Sequence, residues 1–414
     1  MIKILLKEYK EIIANFSFLS ILQFVQLAVT FILYPYLIKI LGQDKYGVIA
    51  YAQAISGYFI IIINYGFKAT ATKEIANNKN DLRKTNEIIS AVFGAKIFLF
   101  LFSSLIIFLL VYNIQFLLSY KWIYLLTFFS TIGWVLFPDW YFQGIEKMHN
   151  ITYAMVISKV LSVVFIFSFV KNSSHIYLVP IINSLSMILC GMIGIFLLTS
   201  NKNIKLTFPK IDEIKEQYKI GFAYFSSNIA ANTKDYLNTI IVGAFLNYTN
   251  VAIYDLANKL VKILILPCSI LANAIFPRVT IKKSFSFNLK IEKIMLFYSI
   301  LISTSLFIIP DEIWTVFIKE NLTIFKTTLY ILSLTLPLLS LTASRGFLIL
   351  VGFNKDKYFT ISVLFSMLGY FIFIGYLIYL HSFNLYTAAL AIVISLLIEV
   401  SFHIYGIKLS KLRR

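Results

Sequence analysis

The chain has 414 residues, 59% of them apolar and only 14% charged, with a net charge of +18 and a mean hydropathy of +0.82. A soluble domain carries about a quarter charged residues, whereas this composition supplies apolar sequence for about twelve membrane spans of roughly 20 residues each. That excludes a soluble enzyme, a disordered chain and a single-anchor protein. It also excludes a membrane β-barrel, whose strands alternate apolar and polar residues.

In chain order, apolar runs predict helices near 14–38, 47–67, 86–112, 120–141, 151–170, 176–199, 218–245, 251–277, 294–310, 325–351, 358–380 and 385–407. The first follows Lys3, Lys7 and Lys10 without an A-x-A cleavage site and reads as a retained span. Cys190 and Cys268 lie in apolar runs, and the four histidines fit no zinc spacing, so neither a disulfide framework nor a metal is expected. No GxxxxGK, HExxH or GxSxG motif occurs. The chain is therefore not expected to be an enzyme or to hold a cofactor.

Charge placement gives the topology. With twelve spans, both termini and every second loop share one side, and those segments hold 25 Lys and Arg against five in the opposite loops. Cytoplasmic loops are the basic ones, so both termini are expected in the cytoplasm. The basic excess is then topology, and no nucleic acid is implied as a partner.

Six cations fall deep inside predicted helices: Lys96, Lys159, Lys234, Lys259, Lys262 and Arg345. A lysine or arginine facing lipid at mid-membrane costs about 2.5–3.5 kcal/mol, so these must face water or meet acids. The deep acids are Asp235, Asp255 and Glu399, with Asp139 near the end of the fourth helix. Asp255, Lys259, Lys262, Ser269 and Asn273 share one stripe of the eighth helix; Asn228, Asn232, Asp235 and Thr239 share one of the seventh; Ser395, Glu399 and His403 align on the last. Such stripes suit either a shared hydrated cavity or hydrogen bonds that join helices. The surplus of cations favours an anionic solute or lipid head group, with the six cations as candidate substrate-binding residues. Asp235 and Asp255 have lysines close by and read as charge-pair candidates. Glu399 has only His403 near it on its helix and reads as the best candidate for proton coupling.

The chain repeats itself weakly. At an offset of 208, Gly144, Lys147, Thr152 and Ser158 match Gly352, Lys355, Thr360 and Ser366, and at 205, Ala52-Gln53 resembles Ala257-Asn258. This predicts an N-terminal six-helix lobe (1–200), a basic cytoplasmic linker (201–219) and a parallel C-terminal six-helix lobe (220–414), with substrate bound between repeats.

The stretch FPDWYFQGIEKM, residues 137–148, resembles the signature of bacterial O-antigen and polysaccharide-unit flippases. Tyr34-Pro35-Tyr36 with Leu41-Gly42 and Tyr46-Gly47, and Asn64-Tyr65-Gly66-Phe67 with Ala71-Thr72-Lys73-Glu74-Ile75-Ala76, resemble two further segments of that family. Lys73 stands where the family more often has arginine, which keeps the charge and loses the fork. The resemblance implies the all-helical fold of the multidrug/oligosaccharidyl-lipid/polysaccharide exporter superfamily, two lobes around a central cavity that the lysines would make cationic. It implies as substrate an undecaprenyl-pyrophosphate-linked oligosaccharide, flipped to the outer leaflet of the bacterial inner membrane, with membrane lipids, a polysaccharide polymerase and a chain-length regulator as partners. Within the signature, Asp139, Trp140, Gln143, Gly144, Glu146 and Lys147 either end a helix and gate, or touch substrate. Coupling to H⁺ or Na⁺ stands beside a flippase drawn onward by polymerisation. An ion-coupled multidrug exporter is the competing function. A membrane polymerase or ligase would need a long outer loop, and the longest here has about fourteen residues.

Overall fold

The computed structural model describes residues 2–200 and 204–410, and every regular element among them is helical. Nine helices among the described residues are long and apolar enough to cross a membrane, or ten if the bent pair Tyr248–Leu264 and Leu266–Phe276 forms one span. The predicted spans 218–245 and 294–310 are also helical, as Ile211–Phe245 and Phe285–Ser305, but are not among those ten. Polar residues explain why: Asn228, Asn232, Lys234, Asp235 and Asn238 in the first, and Lys290, Glu292 and Lys293 in the second. The chain divides into two compact units, Met1–Ile229 and Ala230–Arg414, within helix Ile211–Phe245. That helix begins inside the segment read as a linker, whose residues 201–203 lie outside the described ones.

In the first unit, the resemblance segments build the core. Phe67, Ala71 and Ile75 pack with Ile88, Ile89, Val92, Phe137, Trp140 and Phe142, all buried. Glycines set the close approaches. A Cβ on Gly133 would lie 2.1 Å from the Met187 carbonyl oxygen, and one on Gly191 would lie 2.8 Å from that of Gly133. Helices Ser130–Leu136 and Leu178–Thr199 therefore cross nearly backbone to backbone, as small residues permit in lipid.

The weak repeat marks the same turn in each unit. After helix Asp139–Gly144, the Lys147 amide donates to the Phe142 carbonyl at 2.8 Å, while Glu146 takes φ +61°. After Thr342–Val351, the Lys355 amide donates to the Leu350 carbonyl at 2.7 Å, while Asn354 takes φ +60°. Both are Schellman-type C-caps. The next helices, Met148–Phe169 and Asp356–Tyr379, start 208 residues apart, whereas Gln43–Asn64 and Tyr248–Leu264 start 205 apart.

In the second unit, Tyr370 and Ile374 on Asp356–Tyr379 pack against Ala391, Ile392 and Leu396 on Leu385–Leu409. The latter helix opens on a capping box at Asn384 and Thr387. The predicted continuous eighth helix is instead two, bent by 41° around Ile265. Pro267, lacking an N–H, accounts for the break. Ser269 and Asn273 therefore lie past the bend, on a different helix from Asp255, Lys259 and Lys262.

Candidate functional site

Four of the six deep cations lie in the second unit, and each meets a carboxylate there. The Lys234 ammonium donates to Glu399 Oε2 at 2.9 Å and to Ser366 Oγ at 2.6 Å, and the Ser366 hydroxyl passes its own hydrogen to the Ser395 carbonyl at 2.7 Å. Lys234 and Glu399 are each 6% exposed. Three helices meet at this pair, and the serines complete its hydrogen bonding, which is what lets a buried ion pair persist in low dielectric. Glu399 is therefore not isolated, as its own helix suggested: its partner comes from Ile211–Phe245. Below it on that helix, Asn238 donates to the Ala388 carbonyl at 3.1 Å and accepts from Tyr370 at 2.9 Å.

The other three pairs are more open. Lys259 reaches Asp255 one turn back at 2.6 Å, and Lys262 reaches Asp235 on the preceding helix at 2.9 Å. Arg345 grips Glu292 with two nitrogens, Nη2 to Oε1 at 2.6 Å and Nε to Oε2 at 3.0 Å, and Ser344 donates to the same carboxylate at 3.1 Å. Side-chain exposure of the cations rises from 21% for Lys259 and 24% for Arg345 to 48% for Lys262. Arg345 and Ser344 lie in Thr342–Val351, which is wound as a π-helix, a form often found at functional sites.

Glu292 escaped the sequence reading because Lys290 and Lys293 beside it delayed the apparent start of the ninth helix to 294. With it included, four cations of this unit face four acids, and the surplus of positive charge read from the sequence is gone there. Ser366 had a signal, its place in the repeat. His403, aligned with Glu399 in the sequence, is fully buried and stacks on Phe359 at 5.6 Å instead.

The remaining two cations and the signature lie in the first unit. Lys96 is 1% exposed and donates to the Trp134 carbonyl at 3.1 Å, at the C-terminal end of Ser130–Leu136, where the helix dipole favours a cation. Lys159 is half-buried on Met148–Phe169. Asp139 is buried, accepts from the Trp140 amide at 3.0 Å, and lies 3.7 Å from Lys68. Trp140 is fully buried against Phe93, and its carbonyl accepts from Thr72 at 3.0 Å. A Cβ on Gly144 would sit 2.8 Å from Ile75, so the glycine lets the signature helix touch Phe67–Asn77. Gln143 is half-buried, Lys147 is exposed, and Glu146 is exposed and paired with Lys79 at 2.6 Å.

An all-helical chain with nine or ten such helices is a multi-pass membrane protein. Its fold is that of a known transporter class. It superposes on a structure described as "Lipid II flippase MurJ, inward closed conformation" with a TM-score of 0.73 at 16% identity, covering 94% of this chain and 87% of that one. An inward-facing multidrug resistance MATE family transporter of the MOP superfamily gives 0.68 at 15% identity, covering 93% and 99%. The polysaccharide biosynthesis protein family matches residues 12–281, and the chain belongs to it. A protein of Escherichia coli K12 named "Putative O-antigen transporter" is 26% identical over 271 residues, a match that spans 64% of this chain and 64% of that relative's length. A protein of the same name from Shigella dysenteriae is 24% identical over 335 residues, 79% of this chain and 83% of the relative. These relatives are named as transporters, not as enzymes.

Proposed function

We propose that the chain is a flippase that carries an undecaprenyl-pyrophosphate-linked oligosaccharide from the cytoplasmic to the outer leaflet of the inner membrane, by alternating access of two six-helix lobes. Twelve spans, cytoplasmic termini and a cavity between the lobes belong to this reading. The observation that carries it is the set of part-exposed cations Lys259, Lys262 and Arg345, each resting on a carboxylate. A pyrophosphate offers the same acceptor oxygens as those carboxylates, so the cations can exchange one for the other without crossing lipid unpaired. Each conformation then holds a different set of pairs, and the substrate shifts the equilibrium by its differential affinity. A drug exporter for cationic compounds would want acids free of cations, and the four acids here each hold one.

Coupling to H⁺ or Na⁺ belongs to the same proposal, with the Lys234–Glu399 pair as its seat, and a polymerase and a chain-length regulator would act on the flipped product. The test is the lipid-linked oligosaccharide profile of a deletion strain complemented with variants. Complete repeat units accumulating on the cytoplasmic leaflet, and cleared by the wild-type chain but poorly by a Lys259→Ala/Lys262→Ala variant, are expected. An unchanged profile on deletion would end the proposal.

A further inference from the structure

The segment that enters helix Ile211–Phe245 is not a free linker. Residues 204–210 run extended along the first turns of Leu82–Asn113, pinned at alternate positions. The Lys205 amide donates to Asn86 Oδ1 at 3.2 Å, the Thr207 amide donates to Ser90 Oγ at 3.1 Å, and Pro209 packs where a Cβ on Gly94 would lie only 2.7 Å away. Asn86, Ser90 and Gly94 are four residues apart and form one stripe of that helix. Ile204 is buried in the core beside Leu198 and fixes the strap at its start.

The ties at 205 and 207 are made by backbone amides, and the side chains of 205 to 208 and of 210 are all exposed. Leu206 is 47% exposed and Phe208 fully so, and Ile211, which opens the next helix, is 70% exposed. Lys205 and Lys210 flank them, and the strap from 204 to 211 contains no acid. Of the acids that follow, Glu213 is bound to the Lys210 amide at 3.1 Å and Asp212 lies 3.7 Å from Lys215. The helix beneath is itself long and apolar enough to cross a membrane, and after Leu82 at its first position its exposed apolar residues run from Ile97 and Phe98 through Leu101, Phe102 and Leu105. At 1.5 Å per residue, Ser90 lies about 10 Å short of that face. Phe208 thus stands where the hydrocarbon gives way to head groups, the depth at which aromatic side chains collect.

We infer that the strap is an interfacial anchor: Leu206, Phe208 and Ile211 enter the boundary between head groups and acyl chains of a phospholipid leaflet, while Lys205 and Lys210 meet lipid phosphates. Its partner is a bilayer surface, with anionic lipid favoured by the lysines. The inference does not rest on the flipping reading, and its test involves no transport.

Replace Cys190 and Cys268 by alanine, introduce Phe208→Cys, attach a nitroxide and reconstitute the full chain into nanodiscs of phosphatidylcholine with or without phosphatidylglycerol. Collision rates with oxygen and with an aqueous nickel chelate report depth, with Ser174→Cys as a water-exposed reference and Leu105→Cys as an acyl-chain reference. An oxygen-to-nickel ratio several-fold above that of Ser174 and below that of Leu105 is expected. It should rise with phosphatidylglycerol and lose that dependence in a Lys205→Gln/Lys210→Gln background. A ratio equal to that of Ser174 overturns the anchor in favour of a solvated loop. A nitroxide shielded from both reagents overturns it in favour of a protein contact. A depth unmoved by phosphatidylglycerol overturns the role of the lysines.

Discussion

Lys234 and Glu399 are separated by most of the second unit in sequence and meet at 2.9 Å in its interior. Removing one member of such a pair leaves a buried charge unmatched, at a cost of about 3–5 kcal/mol, whereas replacing both by apolar groups can be nearly neutral. Glu399→Gln and Lys234→Met should therefore each lower the thermal stability of the purified protein in detergent, and the double variant Lys234→Met/Glu399→Leu should recover most of the loss. Additive losses would mean that the pair is not coupled. Arg345 makes a different demand, since its planar fork binds both oxygens of Glu292. Arg345→Lys keeps the charge but forfeits the two-point grip, and should cost about 1.5–3 kcal/mol, the scale of a hydrogen bond to a charged group; a melting curve matching wild type would contradict it. The cations were legible in the sequence because a charge inside an apolar run is conspicuous. The Lys259–Asp255 pair, one turn apart on one helix, was legible too; the other partners were not, because helical periodicity relates residues on one helix, and Glu399, Glu292 and Asp235 each pair across two.

At the scale of elements, the signature acts through packing. Gly144 sits against Ile75 and the Thr72 carbonyl, which a Cβ would approach to 2.8 and 3.0 Å. Gly144→Ala must push the signature helix off Phe67–Asn77, and overpacking of this kind typically costs about 1–3 kcal/mol. Reduced yield of folded protein and a lower melting temperature are expected, while a wild-type melting temperature would show that the contact yields. Glu146 gives the converse case. Its left-handed φ of +61° is strained for a residue with a Cβ by about 1–2 kcal/mol, and its exposed pair with Lys79 is worth about 0–1 kcal/mol. Glu146→Gly should thus leave stability unchanged or raise it, and a clear loss would assign the Lys79 pair a larger role. The sequence reading had the signature end a helix, and the helix does end at Gly144. It missed the bend at Pro267 because the apolar run continues unbroken through it, and it missed the early start at Ile211 because a turn of helix rich in charge, with Asp212, Glu213, Lys215 and Glu216, looks like a loop.

Across the whole molecule, the repeat and the charge bias make a joint demand. The same C-cap recurs at Glu146 and Asn354 and is followed by a helix starting 208 residues later in the second case. If each half crosses the membrane six times, the halves run in the same sense and both turns face the cytoplasm, in agreement with the bias of 25 basic residues against five. The apolar length of the helices alone cannot supply this, because Ile211–Phe245 and Phe285–Ser305 are too polar to register as spans. A crossing by either would depend on charges matched within the protein, Lys234 by Glu399 and Glu292 by Arg345. Were either helix to remain on one side, every later loop would change sides. Single cysteines at Lys147, Lys357, Ser174 and Ser382, placed in a background without Cys190 and Cys268, separate crossing by one of these helices from crossing by both. With both helices crossing, an impermeant maleimide applied to intact spheroplasts should label the cysteines at 174 and 382 and reach those at 147 and 357 only after permeabilisation. Labelling at 147 and 357 from opposite sides would mean an odd number of crossings between the two turns, and the parallel repeat would fall with it.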